Sequence, residues 1–185
     1  MRRFSTLFFS FILFIALGTA VFGQAQSLAI TTNKTVVDGV VNPGEYSFTV
    51  DYGELTLSVN RTADALYLGA VGNTTGWVSV GLGSMKMDGS TMFMGFVGSD
   101  GKVKFKPQEG SGHSHKDAGG DVSGTIISYA MKESGGKTTL EIALRPAAYV
   151  KVGQSALQII YAEGTEKSFI PRHMFRGALS LPLAK

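Results

Sequence analysis

Short runs in which apolar and polar residues alternate follow one another along most of the chain, with Gly, Asn, Asp or Pro between them. A period of two marks strands with one buried face. Ser27 to Val37 is predicted as a first strand, followed by turns at Asp38-Gly39 and Asn42-Pro43-Gly44. Tyr46 to Val50 is a short second strand, and Leu55, Leu57 and Val59 mark a third. In the next, Leu66, Leu68 and Ala70 interleave with Tyr67, Gly69 and Val71, so both faces are expected to be covered. Trp77, Val78 and Val80 open a strand that ends in Gly81-Leu82-Gly83. A loop with Met85, Lys86, Met87, Asp88 and Gly89 follows, then an apolar strand from Thr91 to Val97. Ser99-Asp100-Gly101 is a hairpin signal, and Lys102 to Phe105 returns antiparallel. Gln108 to Asp121 reads as a Gly-rich polar loop. Thr125 to Met131 and Thr138 to Leu144 pair about the turn Ser134-Gly135-Gly136-Lys137, and Pro146 ends the second. Ala156 to Tyr161 reads as a central strand, Phe169 to Phe175 as irregular with Pro171 removing a backbone donor, and Gly177 to Leu183 as the closing strand. About ten short strands without heptads, repeats or a linker predict an all-β antiparallel sandwich or barrel.

The N-terminus breaks this pattern. Arg2 and Arg3 precede a nearly continuous apolar run from Leu7 to Leu17, and small residues follow at Ala20, Gly23 and Ala25. Residues 1–23 therefore read as a secretory signal peptide cleaved between 23 and 26, with 27–185 as a single domain that is secreted or periplasmic. The alternative, an uncleaved anchor, meets an apolar run that is short for a span. Removing the segment leaves 15 basic against 14 acidic residues, so the mature charge selects no partner. No basic stripe interleaved with aromatics points to nucleic acid. Cysteine is absent, which excludes disulfides and covalent attachment of haem through Cys-x-x-Cys-His. No Gly-x-Ser-x-Gly elbow, P-loop or dinucleotide fingerprint is present.

The candidate chemistry sits in three places. Met87 lies in a polar Gly-containing loop where core burial is not expected, and a thioether there is either a gap filler or a ligand; Met85 has the same chemistry. His173 stands among Ile170, Met174 and Phe175, an apolar setting that suits a neutral imidazole bound to haem iron, or a plain surface histidine. Arg172 and Arg176 flank it, either as a solvated rim or as partners for haem propionates. His113 and His115, with Asp117 and Asp121, offer a loosely spaced set for a divalent metal; the alternative is a solvated loop.

Gly76-Trp77-Val78-x-Val80-Gly81-Leu82-Gly83, then Met87-x-Gly89-Ser90, Gly95-Phe96-Val97 and Asp100-Gly101-Lys102-Val103, resembles the DOMON domain. Asp38-Gly39 with Glu45-Tyr46 is similar to its opening strand, and His173 with Gly177-Ala178-Leu179-Ser180-Leu181 to its closing one. The resemblance spans about Val36 to Leu183 and departs from many bacterial members at Thr91, Lys104 and Lys106. It implies an immunoglobulin-like sandwich that binds b-type haem or a sugar. In the haem-binding branch, similar to the cytochrome domain of cellobiose dehydrogenase, the ligating Met falls on Met87 and the ligating His on His173. Met85, His113 and His115 remain alternative ligands. The expected function is non-covalent haem b binding and electron transfer without catalysis, to a redox partner protein or membrane cytochrome on a separate chain. The other class is a haem-free carbohydrate-binding module using Trp77 or a tyrosine among Tyr46, Tyr52, Tyr67, Tyr129, Tyr149 and Tyr161 as its platform.

Overall fold

Apolar alternation resolves into eleven strands and two single-turn helices in this computed structural model, which describes residues 26–170 and 172–184. The segment read as a signal peptide lies outside those residues, as does Pro171. The strands are β1 (Phe48–Asp51), β2 (Leu55–Arg61), β3 (Leu66–Gly72), β4 (Val78–Leu82), β5 (Thr91–Val97), β6 (Val103–Ser111), β7 (Ser114–Asp117), β8 (Ile126–Ser134), β9 (Lys137–Leu144), β10 (Ala156–Glu163) and β11 (Phe175–Pro182). The helices are α1 (Gly120–Ser123) and α2 (Pro146–Tyr149). One sheet has the order β1-β2-β3-β9-β8, the other β11-β10-β4-β5-β6-β7, and every ladder is antiparallel. The predicted sandwich is what forms.

The core is the inward half of each alternation. Leu55, Leu57, Leu66, Leu68, Leu140 and Ile142 of one sheet meet Val78, Val80, Phe93, Leu157 and Ile159 of the other, all without exposed surface or nearly so. Burying each such side chain contributes about 1.5–3 kcal/mol. With no disulfide, this contact holds the sheets together.

The outward half of the five-stranded sheet is covered too. Tyr46, Ala65, Tyr67 and Ala143 form a second cluster with Val37 and Val41, so β3 is buried on both faces as its sequence predicts. Glu141 locks this cover. Its Oε2 accepts the N–H groups of Asp38, Gly39 and Val40 at 3.0, 2.8 and 3.1 Å, and its Oε1 accepts the Tyr46 hydroxyl at 2.7 Å. Gly39 has φ 86°, a conformation that glycine takes without strain. Burial pushes the Glu141 carboxyl above the ordinary carboxylate range, against the pull of these donors.

Two expectations change. Ser27 to Val37 makes no strand. Leu28 bridges Leu183 next to β11, whereas Thr31 N–H bonds to Arg61 O of β2. The segment crosses from one sheet to the other and cannot build a ladder with either. Gln108 to Asp121 is not a loose loop. β6 runs on to Ser111 and turns at Gly112 (φ 58°) into β7. The glycines serve a tight hairpin, and Lys106 holds Asp117 across it at 2.8 Å.

Candidate functional site

The outward face of the six-stranded sheet differs from its inward face in side-chain size. Inward stand Val78, Val80, Phe93, Ile159 and Tyr161. Outward, in register across β11, β10, β4 and β5, stand Ala178, Ile160, Gly81 and Met92 in one row and Arg176, Ala162, Ser79 and Met94 in the next. Gly81 in the first row and Ala162 and Ser79 in the second leave a hollow. A Cβ on Gly81 would come within 2.7 Å of Ile160 and 2.9 Å of Met92, so only glycine lets these two side chains close over β4.

Two segments roof the hollow. The loop between β4 and β5 carries Met85 to Asp88 and is laced to the β6–β7 hairpin: Gly89 N–H donates to Gly110 O at 3.2 Å, Gly110 N–H to Ser90 O at 3.0 Å and Gly112 N–H to Asp88 Oδ1 at 2.8 Å. Gly110 is required there, because a Cβ would collide with the Met87 carbonyl. The segment between β10 and β11 is pinned at its root by Gly164 N–H to Trp77 O (3.0 Å) and Thr74 Oγ1 to Gly164 O (2.9 Å). Its Phe169 packs on Phe96 with centroids 4.9 Å apart, under the Lys106 ammonium at 5.4 Å. Met174 N–H returns to Glu163 O at 2.8 Å.

What remains between sheet and roof is a cavity of about 1100 Å3. This lies just above the usual range for ligand sites, about 300–1,000 Å3. All seven residues proposed as haem ligands, propionate partners or alternative ligands line it: Met87 and Met85 from one roof, His173 and Arg172 from the other, Arg176 from the start of β11, and His113 and His115 from the hairpin; Asp117 and Asp121 do not. Met87 is half-buried, and His173 is exposed at the rim. The apolar wall expected around His173 is absent. Ile170 and Met174 are 91% and 72% exposed, because this segment lies outside the sandwich and only Phe175 returns to it. Arg176 Nη1 lies 3.2 Å from His173 Nε2. A guanidinium only donates, so in this contact Nε2 is the acceptor.

Sequence reasoning missed the floor. Met92 and Met94 were read only as strand residues, yet they face the cavity, as does Gln108 beside Met92. The alternation of large inward with small outward residues on β4 and β10 was the available signal. Two buried polar atoms at this cavity have no partner, Gln108 Oε1 and Trp77 Nε1. Such atoms cost about 1–3 kcal/mol each when left unpaired. Gln108 turns its amide nitrogen to Asp117 Oδ1 at 3.5 Å; Lys106 and then Gln108 hold that carboxyl below its usual range. Glu163, at the root of the second roof, is pushed up to about 6 by burial and then by Glu54.

The platform aromatics fare differently. Trp77, Tyr46, Tyr67 and Tyr161 are buried and Tyr52 and Tyr149 half-buried. Tyr129 alone of these is exposed, stacked on Phe105 at 4.0 Å beside a second hollow between β6 and β8.

No protein-family model matches the sequence, and no curated protein matches it. Solved structures do. The cytochrome b domain of pyranose dehydrogenase from Coprinopsis cinerea is 11% identical, with TM-score 0.52 over 69% of this chain and 76% of that one. The cytochrome domain of Myriococcum thermophilum cellobiose dehydrogenase is 12% identical, with TM-score 0.51 over 74% and 81%. The chain has the cytochrome b domain fold. The expected likeness to the cellobiose dehydrogenase cytochrome domain is met at that level. A family 9 carbohydrate binding module from Caldicellulosiruptor kristjanssonii, in complex with cellotriose, is 12% identical over 83% of each chain, with TM-score 0.46.

Proposed function

We propose that this chain is an exported electron carrier that binds b-type haem through Met87 and His173. One observation carries the reading: a thioether and an imidazole from segments far apart in sequence line one cavity. The cavity suits the group. Its floor is mostly apolar, with Ile160, Ala162, Met92 and Met94, its donors are a soft sulfur and a nitrogen lone pair, and Arg172 and Arg176 stand at the rim where propionates would lie. Haem bound there supplies a one-electron couple, and Met/His ligation raises its potential. The chain's own part is to hold both ligands, to pair the acidic edge of the group with arginine, and to exclude water with its two roofs. The Nε2 lone pair now held by Arg176 is the one a metal would take, which frees Arg176 for a carboxylate. Two protein ligands leave no open position for oxygen chemistry, so the partner is another redox protein on a separate chain.

The test is an absorption spectrum of the mature protein after haem addition, oxidised and then reduced with dithionite. A sharp low-spin b-type spectrum is expected, lost in His173→Ala; the same spectrum in that variant would sink the assignment. The carbohydrate reading has one observation in its favour, the exposed Tyr129–Phe105 stack. Glycan binding lost in Tyr129→Ala, from a chain that takes up no haem, would replace the first reading with the second.

A further inference from the structure

Met85, His113 and His115 line the cavity, and the haem proposed above is held by Met87 and His173 instead. The fold gathers them. His115 pairs with Gly110 across the β6–β7 hairpin, and the Met87 carbonyl lies against Gly110. Cross-strand partners share a face. The neighbouring pair, Gln108 and Asp117, fixes which face: they bond to each other, and Gln108 opens on the cavity. His115 therefore projects toward the loop that carries Met85. His113 stands in the turn next to Gly112, which Asp88 ties to the same loop.

The donor set decides the metal. Asp117 is engaged by Lys106 and Gln108, and Asp88 by Gly112, so neither carboxylate is free. Among the described residues no group of three or more His, Cys, Asp and Glu is close enough to hold a metal ion. Zinc, calcium or magnesium lacks its ligands here. Only a thioether completes the two imidazoles, and soft sulfur ligands select monovalent copper.

We propose that Met85, His113 and His115 bind one cuprous ion at the hairpin end of the cavity. The site stands apart from the haem reading, since neither Met87 nor His173 is needed for it.

The haem-free mature protein is titrated against the coloured cuprous bicinchoninate complex. It is expected to withdraw one equivalent of copper. His113→Ala with His115→Ala, and separately Met85→Leu, are expected to weaken binding by about tenfold or more. Folding is checked by melting temperature; all three side chains are exposed, so it should hold. No withdrawal of copper, unchanged withdrawal by both variants, or displacement of the copper by equimolar zinc would overturn the proposal. Copper uptake by a chain that takes no haem sinks the haem reading alone; haem uptake without copper uptake sinks this one.

Discussion

Glu163 ends β10 with its Oε2 buried and unpartnered, facing Gly72 of β3 between the sheets. In the unfolded chain its carboxyl ionises near the ordinary value of 4.5, and in the fold only near 6. The fold holds that proton more tightly, so this residue makes stability fall as pH rises from about 4.5 to about 6, with no further change above. Glu163→Gln should remove that slope and stabilise the protein at pH 7.5 by roughly 1–2 kcal/mol, read from thermal melts across pH. Gly81 tests the floor. Gly81→Ala must push aside Ile160 or Met92, so haem affinity measured by titration should drop about tenfold or more while the melting temperature falls by only a few degrees. At this scale the sequence displays ligand chemistry well, because Met and His in polar loops stand out against their neighbours. It displays the floor poorly: Gly81 and Ser79 have meaning only once β10 and β5 lie beside them.

Among the elements, the β6–β7 hairpin and the Glu141 lock do opposite work. Glu141 fastens the segment from Asp38 to Tyr46 over the five-stranded sheet with four hydrogen bonds. Tyr46→Phe should cost about 1 kcal/mol by urea denaturation, one hydrogen bond lost while the three N–H donors stay satisfied. Glu141→Gln should cost more, about 2–3 kcal/mol, because an amide cannot serve all four donors. The hairpin instead shapes the cavity. Gly110→Ala should leave the sandwich intact and displace the Met87 loop, seen as loss of the reduced low-spin spectrum without loss of cooperative unfolding. Strands with clear alternation, such as β2, β3 and β9, are legible from their residues alone. The hairpin is not, because its polar Gly-rich residues carry the composition of a loop while Lys106, Gln108 and Asp117 supply a pairing visible only across strands. The first predicted strand fails for the reverse reason: its residues suit a strand, but it touches the end of β11 only at Leu28 and has moved to β2 by Thr31.

For the molecule as a whole, one outward face is sealed by the N-terminal segment and the other is only roofed, leaving room for a ligand. Occupancy should therefore register in global stability. If haem is the ligand as proposed, at about 100 times its dissociation constant it should stabilise by about 2.7 kcal/mol and raise the melting temperature by several degrees. His173→Ala should abolish that shift while leaving the haem-free melt near its parent value, since the imidazole is exposed.

The walls of the cavity come from three stretches of chain, and β10 joins the first to the last only by sitting between β4 and β11. Pairing across such a sequence distance closes late, after the local hairpins have formed. No partial product of folding, and no chain interrupted before β10, brings Met87 and His173 to one cavity. A prosthetic group held between them can thus enter only through the rim of a finished molecule, and its loading is a separate event from folding: a population can be wholly native and wholly empty.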